Sequence, residues 1–114
     1  MSECLFCMID KGDLPAEKVY DDDRVFAIKD INPQAPIHLL IIPKKHFSTV
    51  LEIQKEDHEL IGSIYSIANR LARDNGLDKT GFRVVVNCGV EAGQSVFHIH
   101  YHFLGGRTFK WPPG

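Results

Sequence analysis

At 114 residues, with 44% apolar and 25% charged side chains, the chain has the size and composition of one globular domain. A formal charge of −2 excludes the basic footprint expected of a nucleic-acid or anionic-membrane binder, and no stretch approaches the roughly 18 apolar residues of a membrane span. Three cysteines, an odd number, argue against a disulfide scaffold and for a reducing, cytoplasmic setting.

In chain order, Cys4–Lys11 reads as a short helix with Phe6 and Ile9 on one face and Gly12 as its stop. Val19-Tyr20 and Val25–Lys29 flank the acidic run Asp21-Asp22-Asp23 and read as a hairpin around a solvated turn. Ile31–Pro36 contains two prolines, which remove donors and fix the backbone, so it reads as an ordered loop. His38–Pro43 is an apolar run short enough for a buried strand. The spacing of Leu60, Ile64, Ile67 and Leu71, with Ile61 and Ala68, predicts a long helix from about Lys55 to Asn75. Phe82–Asn87 and Val96–Leu104 complete five strands. One short helix, one long helix and five strands suggest an α+β domain on an antiparallel sheet. Pairing of the last two strands would bring Asn87 near the final strand.

That final strand holds three of the six histidines at every second position, His98, His100 and His102. In a strand such residues share a face, with Phe97, Ile99, Tyr101 and Phe103 on the other. Neighbouring imidazoles disfavour each other's protonation and keep neutral nitrogen available near pH 7. Three readings compete: an inert half-exposed strand, a catalytic metal platform, and nucleophilic histidine chemistry on a phosphate ester or amidate. Residues at i and i+2 are roughly 6.6 Å apart, so the outer rings can flank a phosphate attacked by the middle one. Gly93-Gln94-Ser95 could offer backbone N–H groups and a hydroxyl to the anion. A catalytic zinc would want orienting carboxylates, and the strand has none, which favours the nucleophile.

His98-Ile-His-Tyr-His-Phe103 resembles the His-φ-His-φ-His-φφ signature (φ apolar) of the histidine-triad (HIT) superfamily of nucleotide hydrolases and transferases. The segments Asp30–His38, Ile42–His46, Val86–Gly89, Gly93–His98, Gly105–Arg107 and Trp111–Gly114 are similar to its Hint branch, so the resemblance covers nearly the whole chain. It implies a single HIT-like domain over residues 1–114, in a two-fold homodimer with residues 107–114 as a tail toward the partner. It also implies a purine nucleoside phosphoramidase, which splits the P–N bond of nucleoside 5′-phosphoramidates through a nucleotidyl-histidine. By position His100 matches the nucleophile, His98 and His102 the flanking pair, and His38 a fourth histidine that supports proton movement. Asn87, Gly93, Gln94 and Ser95 match phosphate and leaving-group positions. Phe6, Ile9, Leu14, Asp30 and Ile31 match the nucleoside pocket, with the aspartate on the ribose hydroxyls. No cofactor is needed for this chemistry in the family. Read without the resemblance, Phe6, Ile9, Leu14 and Ile31 could be plain core, Asp30 a loop-structuring residue and Ser95 a strand terminator. A dinucleoside polyphosphate hydrolase of the same superfamily, or a zinc-stabilised nucleotide-binding adaptor, are the alternatives.

Cys4-Leu-Phe-Cys7 is not required by that chemistry. No strand precedes the pair as a thioredoxin-like motif expects, which leaves structural zinc or two small packed thiols. Relatives with this pair complete a zinc site with residues matching His46 and His98. Cys88 reads as a packed thiol.

Overall fold

Valine, isoleucine, leucine and phenylalanine dominate the runs 25–28, 37–42 and 82–86, and each becomes a strand in the computed structural model, which describes residues 4–114. The elements are α1 (Leu5–Lys11), β1 (Lys18–Asp21), β2 (Val25–Lys29), β3 (Ile37–Pro43), α2 (His58–Asp74), β4 (Phe82–Val86) and β5 (Tyr101–Gly105). The strands form one antiparallel sheet in the order β1-β2-β3-β5-β4. The expected α+β architecture of five antiparallel strands, one short helix and one long helix is therefore observed.

Both faces of the sheet centre are covered, which is why β2 and β3 are apolar almost throughout instead of alternating with polar residues. Val25, Ala27, Leu39, Ile41, Tyr101 and Phe103 point to α2, whose Leu60, Ile64, Ile67 and Leu71 complete the larger core. Phe26, Ile28, Leu40 and Ile42 point to the other face and meet Phe6 and Ile9 of α1. By the same alternation His38 and His102 lie on the α1 face, since their β3 and β5 neighbours Leu39 and Phe103 belong to the α2 face.

Three boundaries differ from expectation. A 3-10 turn, Lys55–Asp57, precedes α2. There the buried Asp57 accepts from Gln54 N at 2.9 Å and from Lys45 Nζ at 2.6 Å, so its carboxylate closes the turn and fastens the segment leading to His46. The strand ends at Val86, one residue before Asn87. The third difference matters most. The final strand begins at Tyr101 and not at Val96, so only His102 of the three alternating histidines is in the ladder. Before it, side chains and loops take the backbone groups: Ile99 N donates to Phe47 O at 2.8 Å, and His98 O accepts from the His100 ring at 2.8 Å. The alternation of faces holds from His98 to Phe103, but Phe97 is 45% exposed and does not join the core.

Candidate active site

α1 roofs one end of the sheet. Cys4 caps it, its thiol accepting from Cys7 N, and Gly12 ends it at φ 87°, a conformation that suits glycine. Beneath the helix lies a cavity of about 420 Å³. Phe6, Ile9, Leu14, Ile28, Leu40 and Val96 form its apolar walls, and Asp30, Ser95, His100 and His102 bring polar groups to it.

Hydrogen bonds fix the state of each ring. The His100 Nδ1–H donates to the His98 carbonyl at 2.8 Å, which leaves the Nε2 lone pair for chemistry. Phe6 meets the His100 ring edge-on, with centroids 5.0 Å apart. Gln34 N–H donates to His38 Nδ1 at 3.0 Å. The remaining His38 proton is therefore on Nε2, which stands 3.0 Å from His102 Nδ1 and 3.3 Å from Asp30 Oδ2. His102 Nδ1 accepts, and its own proton sits on Nε2. A cation between Asp30, His38 and His102 would need the Nε2 lone pair of His38 that Gln34 N–H has forced into an N–H, so this trio is a hydrogen-bonded chain and not a metal site.

Burial keeps all these rings neutral. It pulls His38 and His100 below the ordinary imidazole value, opposed for both by the Asp30 charge. His102 is pushed down to about 4, by burial first and then by the neighbouring His100 and His38 rings.

His98 has a different task from the one its spacing suggested. It is 1% exposed and does not line the cavity. Its Nε2–H donates to Pro43 O at 2.7 Å, which turns the bare Nδ1 toward Cys4 Sγ at 3.2 Å and Cys7 Sγ at 3.6 Å. His46 Nδ1 approaches Cys7 Sγ at 3.5 Å, and the four donor atoms lie within 4.8 Å of one another. Tetrahedral zinc with bonds of 2.0–2.3 Å sets its donors roughly 3.3–3.8 Å apart. Two thiols and two imidazoles, one with its second nitrogen fixed by a carbonyl, fit a structural zinc. Burial, with the Cys4 thiol beside it, pushes the Cys7 thiol up to about 11, which argues against a nucleophilic role for it.

The structure thus brings together Phe6, Ile9, Leu14, Asp30, Ile31, Ser95, His100 and His102 around one cavity, with His38 behind His102. Asp30 also has the loop-structuring part: its Oδ1 accepts from Asn32 N at 2.8 Å. The expected flanking pair is reduced to His102, because both nitrogens of His98 face elsewhere. The anion cradle expected from Gly93 and Gln94 is not available. Gly93 N donates to Val90 O and Gln94 N to Gly89 O, both at 3.0 Å. The buried Gln94 side chain accepts from Gly89 N and donates to Ser48 O and Val96 O, so it ties loops together. Asn87 does not line the cavity; it directly follows Val86, whose partner Tyr101 directly follows His100. Sequence reasoning missed Ile28, Leu40 and Val96 as cavity walls, since an apolar strand residue under a cavity reads the same as one under a helix.

A family model described as "Scavenger mRNA decapping enzyme C-term binding" matches residues 3–109. An uncharacterized HIT-like protein of Synechocystis is 47% identical over 112 residues, covering 98% of this chain and 97% of that one. A 14 kDa zinc-binding protein of Zea mays is 48% identical, over 99% of this chain and 89% of its own length. Among solved structures, a HIT family hydrolase from Legionella pneumophila superposes with a TM-score of 0.96 at 49% identity, covering 98% of this chain and 100% of that one. The α+β fold with its row of three alternating histidines is the HIT fold. The chain belongs to the HIT superfamily.

Proposed function

We propose that this protein is a nucleotide hydrolase of the Hint type, cleaving the P–N bond of purine nucleoside 5′-phosphoramidates. The observation that carries this reading is His100. Its Nδ1 proton is tied to the His98 carbonyl, so a neutral Nε2 lone pair faces an apolar cavity of nucleoside size with a carboxylate on its wall. In this reading the base packs between Phe6, Ile9 and Leu14, with Ile31 at the rim, and Asp30 takes the ribose hydroxyls. The Nε2 lone pair of His100 forms the N–P bond, and the P–N bond breaks with its electron pair leaving on nitrogen. His102 presents its Nε2–H to the phosphoryl oxygen that gains charge, and Ser95 stands where the amine departs. Water then attacks phosphorus, releases the nucleoside monophosphate and returns the lone pair to His100. The departing nitrogen takes up one proton from solvent in the first step and the attacking water gives one back in the second. Over both steps one water is consumed, with its hydroxide on phosphorus and a proton on the amine.

Cys4, Cys7, His46 and His98 would hold zinc, which would supply structure and offer no open position for a catalytic water. Those four residues would then fasten α1, and with it Phe6 and Ile9, to the sheet. The Zea mays relative's description as a zinc-binding protein supports the assignment.

A two-fold dimer belongs to the same reading. Among the described residues β4 is paired on one side only, by β5, and Trp111 on the tail is 83% exposed. The tail of residues 107–114 would then reach the partner's site. Sedimentation as a monomer at micromolar concentration would refute the dimer.

The deciding experiment compares turnover of an adenosine 5′-phosphoramidate with that of diadenosine polyphosphates. Preference for the phosphoramidate is expected. Preference for the polyphosphates would make the protein a dinucleoside polyphosphate hydrolase, and AMP binding without turnover of either would make it an adaptor.

A further inference from the structure

Arg107 follows the Gly105-Gly106 pair and lines neither the cavity beneath α1 nor the metal cluster. A Cβ at Gly106 would come 2.9 Å from Pro36 Cβ, so the glycine lets the chain pass close against loop 31–36. There Arg107 Nε donates to Gln34 O at 3.0 Å while its Nη1 donates to Thr108 O at 3.1 Å. The guanidinium also stacks on Phe109, 4.3 Å from the ring centroid. Gln34 is the residue whose N–H bonds His38 Nδ1. A cavity of about 390 Å³ is lined by Pro33 and Pro36 of the loop together with Ile37 and Leu71. The loop is held by its own short bonds, by the close approach of Gly106 to Pro36 and by the clamp from Arg107.

We infer that Arg107 is a positioning residue for catalysis: by holding the Gln34 carbonyl it keeps the Gln34 N–H, on the other side of the same Cα, against His38 Nδ1, which fixes the proton of His38 on Nε2 and so keeps the proton of His102 on the nitrogen that faces the cavity. If the Gln34 N–H moves away, His38 can carry its proton on Nδ1 instead. His38 Nε2 then becomes an acceptor, His102 donates to it from Nδ1, and His102 meets the phosphoryl oxygen with a bare nitrogen. A donor turns into a repulsive lone pair without any ring moving far. The catalytic part of this inference rests on the function proposed above, but the tautomer part does not.

The test is Arg107→Ala, with Arg107→Lys as a second variant that keeps charge and most of the stem. Lysine has no donor at the Nε position and cannot serve Gln34 O and Thr108 O together, so it should not rescue. Long-range ¹H–¹⁵N spectra of the substrate-free, zinc-loaded protein report which ring nitrogens of His38 and His102 carry protons. Wild type should show both rings protonated on Nε2, and both variants should show mixed tautomers. Removing a whole oxyanion donor costs on the order of 100-fold or more, so partial misplacement should lower kcat about tenfold. KM should change less than about twofold, because the nucleoside walls are untouched. Retention of the single Nε2–H tautomer in both variants would overturn the inference, as would mixed tautomers with unchanged kcat. If the wild type cleaves no phosphoramidate, the proposed function fails, and the ring spectra still decide what Arg107 does to His38.

Discussion

Phe6 joins three parts of the molecule, so its truncation is the sharpest probe of how they depend on one another. It is 3% exposed, packs with Ile9, Phe26, Ile28, Leu40 and Ile42, and meets the His98 and His100 rings edge-on at 5.9 and 5.0 Å. Removing a buried phenyl ring costs roughly 3–5 kcal/mol. One flank of this ring already borders the cavity, so less new void is made and the low end, about 3 kcal/mol, applies to Phe6→Ala. For a domain of this length that corresponds to a Tm lower by roughly 9–15 °C. The same change strips one wall from the nucleoside pocket, and AMP should bind about ten to a hundred times more weakly, a loss of roughly 1.4–2.8 kcal/mol. Urea unfolding with zinc held saturating measures the first effect, and calorimetric titration with AMP the second. A stability loss below about 1 kcal/mol would show that Phe6 does not dock α1. Lost stability with unchanged AMP affinity would show that the ring supports the fold but does not face the base.

Replacing His100 with Ala should abolish turnover yet leave AMP affinity within a few-fold, and rapid quenching of the wild type should trap an acid-labile adduct. His38→Ala should be only a partial defect, because His38 acts through His102. As burial holds His100 below the ordinary imidazole value, kcat/KM for a phosphoramidate should persist as pH falls through 6.5 and be lost only further down. An acid limb centred at or above 6.5 would refute the neutral-ring argument. Stability should decline over the same acid range, because His102 takes up a proton near 6.5 when unfolded but only near 4 when folded, so protons favour the unfolded chain between those values. Metal analysis should find one zinc per chain and none in a Cys4→Ser/Cys7→Ser double variant. That variant should lose thermal stability before activity, whereas strict proportionality of activity to bound metal would revive a catalytic metal.

The sheet and α2 were legible because each leaves a plain apolar pattern, a helical period in α2 and short continuous runs in the central strands. Apolar residues recur every three to four positions along α2 and fill β2 and β3, where both faces are covered. The histidine row was legible as a face but not as a set of roles. Alternation places rings on one side; it does not say that the Pro43 carbonyl takes the His98 Nε2–H and turns that ring to the thiols. Nor does it reveal that the backbone stays out of the ladder until Tyr101. The part Gln94 plays in the loops was not legible for a related reason. Its place in a glycine-rich turn does not reveal that its side chain bonds three backbone groups, Gly89 N, Ser48 O and Val96 O.

The site's dependence on distant residues follows from the length of α1. A helix of seven residues is far below the dozen or so at which isolated helices become even marginal, so it exists here only because it is docked. Two things dock it: the burial of Phe6 and Ile9 on β2 and β3, and the thiols at its first turn facing His46 and His98. The same helix roofs the cavity, and the His98 carbonyl directs the nucleophile. Metal binding, pocket formation and the orientation of His100 are therefore coupled through one short helix, which the burial of Phe6 and Ile9 still holds in part when the metal is lost. Weakening any of the three should be felt in the other two. The four zinc donors run from Cys4 to His98, and no local spacing within the chain could have announced that unit.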